Sequence, residues 1–227
     1  MIDNMIRVLT KYGDLFMVGL RYTLLLSVIA VILGILIGSV LAIIKMSTWK
    51  FCGCKNPFSV LVSIYIDVIR GTPLLLQLYF FYFILPAAFP NLDLSEFTCV
   101  ATALVANSSA YISEVIRSGI QAVDRGQNEA ARTLGMTKFQ AMVHIIFPQA
   151  IQNILPALCN EFITMVKETS LASTFFVGDL MTQFKTISGA LYLTIEPLII
   201  VGVIYLILTY ALSKVVTVVE RRMKRLD

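Results

Sequence analysis

Charge is scarce in this 227-residue sequence. Asp, Glu, Lys and Arg make up 14% of it and hydrophobic residues 58%, where a soluble domain carries about 25% charged residues. A chain so composed does not expose most of its residues to water. Histidine occurs once and cysteine four times, which leaves little from which to build a metal centre. Cys52 and Cys54 form a C-x-C pair with no histidine or further cysteine near them in sequence, a weak metal pattern by itself. With Cys99 and Cys159 they read as reduced thiols without a role, and His144 as a packing or surface residue. There is no G-x-x-x-x-G-K-S/T phosphate loop, no G-x-S-x-G elbow and no H-E-x-x-H pair. The expectation is a chain that is not an enzyme, with no catalytic residue and with neither metal nor cofactor of its own. Any energy-dependent work then draws its energy from another subunit.

Long apolar runs are what the sequence does have. A helix of about 20 apolar residues crosses a bilayer, and five spans can be drawn. The first runs from Phe16 to Ile44. The 15 residues before it mix acidic and basic side chains, and the run is far longer than a signal-peptide core, so it reads as a retained helix. Gly34 and Gly38 within it form a small-xxx-small pair, a pattern that serves close helix packing or arises by chance. The second span, Asn56 to Pro86, is irregular. Ser63, Asp67 and Arg70 make one polar stripe at i, i+4, i+7, Gly71-Thr72-Pro73 interrupts, and an apolar stretch ends at Pro86. This reads as an amphipathic lead-in, a bend at Pro73 and a crossing segment. Spans three to five cover Phe97 to Gly119, Ile151 to Thr169 and Leu191 to Val219, with a short non-spanning helix and loop over Ser170 to Gly189. No tandem repeat or low-complexity tract is visible.

Lys and Arg placement orients the spans. Lys45, Lys50 and Lys55 follow span one, Arg125, Arg132 and Lys138 lie in a central insert, and Arg221, Arg222, Lys224 and Arg225 close the chain. Five spans put all three groups on one side, the cytoplasm. The expected architecture is an all-α integral membrane protein of five transmembrane helices in the plasma membrane, N-terminus outside and C-terminus cytoplasmic. Residues 1–15 form an extracytoplasmic segment, 16–219 a transmembrane domain with a cytoplasmic segment over 120–148, and 220–227 a basic tail. The net charge of +4 follows from the cytoplasmic bias and calls for no nucleic acid.

The insert is the most polar stretch in the middle of the chain. A helix is expected to start near Asp124, with Ala130, Ala131 and Leu134 on one side and Gly135 as its cap or a bend. "MTKFQAMVHIIF" resumes at helical spacing, with Phe139, Met142, Val143 and Ile146 on one face, and Pro148 marks another break. A helix pair held outside lipid can present a knob to a soluble partner; a solvated loop would not need so many apolar residues.

This stretch resembles the E-A-A motif of the permease subunits of bacterial ABC importers: E-A-A, three residues, G, nine residues, I, one residue, L-P. Glu129, Ala130, Ala131, Gly135, Ile145 and Pro148 occupy matching positions, and Phe147 replaces the Leu. "IRGTPLLLQLYF", "SAYISEVIRSGIQAVDRGQNEAARTLG" and "FPQAIQNILPALCNEFITMVKETSL" resemble the polar amino acid branch of that family, over about Gly19 to Val219. The resemblance implies a type I ABC importer transmembrane fold and transport of a polar amino acid by alternating access. It implies that Glu129 makes polar contacts with a cytoplasmic ATPase, that Ala130 and Ala131 permit close approach and that Gly135 sets the turn. It also implies as partners two ABC ATPase subunits that bind ATP and Mg, a second permease chain, the same or paralogous, and an extracytoplasmic solute-binding protein.

Polar residues inside spans are costly in lipid and are therefore candidates for a solute path. Asn107, Tyr111, Glu114 and Ser118 form one stripe in span three; Glu114 and Arg117 lie near its cytoplasmic end. Span four carries Glu161, Thr164 and Glu168 on one face, and span two carries Gln77. The path candidates are Gln77, Asn107, Tyr111, Glu161 and Thr164; a structural bond to a neighbouring helix is the other reading for Glu161. Three alternatives stay open at this point: an ABC permease for another small solute, a secondary ion-coupled transporter, which usually needs more spans and paired broken helices, and a non-transporting scaffold.

Overall fold

The computed structural model describes residues 1–47, 50–51 and 54–223. The side chains of Lys50, Cys52, Cys54 and Lys55 and the residues Lys224 and Arg225 lie outside the description, and with them the C-x-C pair and part of the positive bias. Apart from a two-residue antiparallel pairing of β1 (Lys50–Phe51) with β2 (Cys54–Lys55), the regular elements among the described residues are helical.

Helix α1 runs from Ile2 to Met46, 45 residues, or about 68 Å at 1.5 Å per residue. That is more than twice the thickness of a hydrocarbon core. The sequence reading began the helix at Phe16; the structure begins it four turns earlier. Tertiary burial accounts for the difference, since Val8 and Phe16 pack with Leu180, Ile187, Ile200 and Val201, and Met5 and Tyr12 join them. Further along, Gly34 and Gly38 lie against α4 (Glu96–Gln121). A Cβ at Gly34 would stand 2.6 Å from Ser108 Oγ, and one at Gly38 2.8 Å from the Ser109 carbonyl oxygen. The small-xxx-small pair therefore serves packing.

Helices α2 (Pro57–Gly71) and α3 (Leu74–Ala88) meet at 113°. Asn56 caps α2 by accepting from Phe58 N, and Pro57 takes the first turn, where its missing N–H is harmless. The break falls at Thr72-Pro73, as the sequence indicated. Pro86 does not end the span: α3 continues through it to Ala88, because a proline in the last turn removes a single hydrogen bond.

After α4 come α5 (Arg125–Thr133), α6 (Lys138–Ala141), a π turn (Met142–Ile146) and α7 (Phe147–Glu168). Pro148 was expected to break the chain and does not. Its ring lies in the first turn of α7, and the wider π turn before it, closed by Phe147 N–H to the Met142 carbonyl, accommodates the lost bond. A 3₁₀ segment, Thr169–Phe175, leads to α8 (Leu180–Leu191), capped by the buried Asp179, and then to α9 (Ile195–Met223). This agrees with the short non-spanning helix and loop read from Ser170 to Gly189.

Among the described residues, four helical runs are long and apolar enough to cross a bilayer: α1, α4, Lys138–Phe175 and α9. The bent pair α2–α3 makes a fifth if taken as one span. The core lies between α1, α3, α4 and α7, where Leu26, Ala30, Leu78, Leu104, Ile112 and Met165 are closely packed.

Candidate functional site

Two regions carry the candidate residues. The first is the knob formed by α5, α6 and the π turn, which follows α4 after only three residues. Asp124 Oδ1 accepts from Gly126 N at 2.6 Å and starts α5. At the other end, Gly135 N–H bonds the Arg132 carbonyl and Met136 N–H bonds the Ala131 carbonyl, both at 3.1 Å. That double closure needs a left-handed residue at Gly135, whose φ is +85. Thr137 and Gln140 then form a reciprocal capping box that starts α6. The sequence-level picture of helix, glycine stop and second helix is what the structure shows.

The faces differ from the expected ones. Ala130 and Leu134 point outward, but Ala131 is buried within the chain, 4% exposed. Glu129 is exposed, as is Pro148, and Ile145 is half-buried. Leu134 (84% exposed) and Phe139 (76%) are two large apolar side chains on the knob that the other described residues do not cover. A cleft of ≈ 540 Å³ at the base of the knob is lined by Ile120, Asp124, Arg125, Glu129, Met142 and Ile146 among others. His144 is exposed, its Nδ1 3.0 Å from the Gln140 carbonyl oxygen.

The second region is polar and lies within the spans. The stripe on α4 faces the elbow of α2 and α3. Asn107 Nδ2 donates to Gln77 Oε1 at 2.9 Å, and both residues are buried. Arg70 lies over the Tyr111 ring, 5.4 Å from its centroid. Glu114 gathers three cations: Lys45 at 2.5 Å, Arg117 at 2.6 Å and Arg70 at 3.7 Å. It joins the C-terminal ends of α1 and α2 to the C-terminal half of α4. The sequence reading placed Glu114 with Arg117 near one end of its span and did not pair it with Lys45 or Arg70, which are distant in sequence. Tyr65, also missed, donates to the Ala106 carbonyl at 2.8 Å and meets Ser109 Oγ at 2.9 Å.

On α7, Glu161 and Thr164 are half-buried on one face with Glu168. Glu161 has no hydrogen-bonding or ion-pairing partner among the described residues, and the Glu168 carboxylate acts on it electrostatically. The structure thus brings Gln77 to Asn107 and Tyr111 to Arg70, and leaves Glu161 unpaired among the described residues.

The described residues thus form a bundle of long apolar helices, with the capped polar pair α5 and α6 set between α4 and α7. The sequence matches the family model described as "binding-protein-dependent transport system inner membrane component" over residues 34–225. It is 41% identical over 209 residues to the arginine transport system permease protein ArtQ of Bacillus subtilis, covering 92% of each chain. It is 39% identical over 212 residues to the probable glutamine ABC transporter permease protein GlnM of the same organism, covering 93% of this chain and 94% of that one. A solved structure described as an amino acid ABC transporter with histidines superposes with a TM-score of 0.87 at 48% identity, covering 94% of this chain and 96% of that one. The chain belongs to the family of inner membrane components of binding-protein-dependent transport systems.

Proposed function

We propose that this chain moves a polar amino acid into the cell by alternating access, driven by a separate ATPase that docks on the knob. The observation that carries this reading is the knob itself: Glu129 exposed on α5, the Gly135 stop, and the exposed Leu134 at the end of α5 and Phe139 on α6. Glu129, Ala130, Gly135, Ile145 and Pro148 would shape the docking surface, with Ala131 packing it from inside. Two ATPase subunits binding ATP and Mg, a second permease chain and an extracytoplasmic binding protein complete the transporter, set in the plasma membrane with the N-terminus outside and the C-terminus in the cytoplasm. In that frame residues 1–15 precede a transmembrane domain over 16–219 and a basic tail over 220–227.

A polar amino acid is supported by the relatives, whose names specify arginine and glutamine. An amino acid carries an ammonium group that needs an acceptor, and Glu161 offers an uncommitted carboxylate with Thr164 beside it. Tyr111 lies under Arg70 and can reach the path only if that stack opens. The test is uptake and ATPase co-purification in Glu129→Ala and Glu129→Lys variants. Both are expected to loosen the ATPase or uncouple hydrolysis from uptake while the spans stay folded. Full coupling in both variants would overturn the reading.

A further inference from the structure

Gln77 and Asn107 both entered as path candidates, yet their geometry assigns them other work. Helix α2 stops because of Pro73. The carbonyl of Ile69 would ordinarily accept from the backbone N–H four residues on, and that residue is Pro73, which has none. Gln77 Nε2 fills the gap. It donates to the Ile69 carbonyl at 2.7 Å and also reaches the Thr72 carbonyl at 3.1 Å and Thr72 Oγ1 at 3.0 Å. Its other end, Oε1, accepts from Asn107 Nδ2 on α4 at 2.9 Å. A primary amide is suited to this position because it donates at one atom and accepts at the other. Gln77 is 5% exposed and Asn107 4%, so neither presents these groups to an aqueous path in this conformation.

We propose that Gln77 and Asn107 are positioning residues, a buried amide clasp that repairs the broken end of α2 and fixes the α2–α3 elbow to α4, so that the elbow travels with α4 when the permease changes state. The proposal rests on the transport reading above and adds to it which parts move together. Further ties act along the same seam: the Tyr65 hydroxyl on the Ala106 carbonyl and on Ser109 Oγ, and Arg70 over Tyr111 and beside Glu114. The knob joins α4 through three residues at one end and runs directly into α7 at the other, so the part of a push that enters α4 is passed to the elbow through the clasp.

The test uses the full transporter with its binding protein in proteoliposomes, in a background with Cys52, Cys54, Cys99 and Cys159 changed to Ser, with labelled arginine and glutamine as probes. Gln77→Leu and Asn107→Leu are each expected to lower Vmax about tenfold, the scale set by leaving a buried polar group unpaired, with KM and ATPase co-purification unchanged. The paired variant Gln77→Cys with Asn107→Cys is expected to be slow when unbridged. Bridging by a short bifunctional methanethiosulfonate reagent should restore its rate, and a reductant should abolish the gain. If the leucine variants are lost from the membrane, the cysteine pair decides alone. A bridged pair no faster than the unbridged one would overturn the proposal, as would leucine variants with raised KM and unchanged Vmax, since these would place the two amides on the solute. Failure of the unsubstituted protein to retain an ATPase would count against the transport reading instead.

Discussion

Gly135→Ala perturbs the knob without touching a neighbour. Gly135 has φ +85, and a Cβ built there meets nothing within 4 Å. The penalty for alanine is therefore backbone strain alone, about 1–2 kcal/mol for a non-glycine residue in the left-handed region. One or two kcal/mol corresponds to a factor of roughly 5–30 in a local equilibrium, here between the stopped end of α5 and a frayed one. Asn tolerates the left-handed region better than Ala, and a β-branched residue tolerates it least. Coupled uptake should fall in the order Gly, Asn, Ala, Val at position 135. ATP hydrolysis in the assembled transporter should persist, and thermal unfolding of the spans should not move. The assay is the ratio of solute imported to ATP hydrolysed in proteoliposomes, with membrane abundance as the control. The reasoning fails if Gly135→Val couples as well as glycine, or if Gly135→Asn is as poor as Gly135→Val.

Other substitutions probe the seams. Gly38→Ala forces a methyl group toward the Ser109 carbonyl and should destabilise the protein by about 1–3 kcal/mol, read as a lower melting temperature in detergent; Gly202→Ala, with nothing within 4 Å, should be neutral. Glu114→Gln removes the negative charge shared by Lys45, Arg117 and Arg70 and turns one of its two acceptor oxygens into a donor, and should lower that temperature clearly. Arg70→Gln, which loses a 3.7 Å contact from a side chain 43% exposed, should cost under about 1 kcal/mol, so equal losses in these two variants would refute this account of the hub. Glu161→Gln should raise KM for the transported amino acid with assembly and ATP hydrolysis intact; unchanged kinetics for every amino acid tested would remove Glu161 from the path.

The knob was legible in the sequence because each of its parts is encoded locally. Asp124 starts a helix, Gly135 stops it and Thr137 starts the next, all within a few residues of the backbone groups they satisfy. The Pro73 bend was legible for the same reason. Proline was over-read at two positions: Pro86 lies in a last turn with little helix left to break, and Pro148 follows a π turn whose wider register no apolar periodicity announces. The burial of Ala131 was not readable, because a nine-residue helix of small and polar residues does not mark its inner face. The Glu114 hub was hidden for a different reason. Its partners Lys45 and Arg70 are distant in sequence, and only the packing of α1 and α2 on α4 brings them together. The first four turns of α1 depend likewise on α8 and α9. Gln77 was noticed as a polar residue in lipid, but its use became visible only once the orphaned Ile69 carbonyl stood beside it.

That dependence of α1 bears on the order of biogenesis. Asn4 Nδ2 donates to Glu196 Oε1 at 3.1 Å across 192 residues of sequence, and Val8 is buried against residues of α8 and α9. Helix α1 is made before α8 and α9, on which its first turns pack. At a synthesis rate of roughly 5–20 residues per second, the first turns of α1 wait on the order of ten seconds or more for a surface to close on. During that interval the segment is open to proteases and insertion factors. Closure of this seam is then a sign that α8 and α9 have arrived.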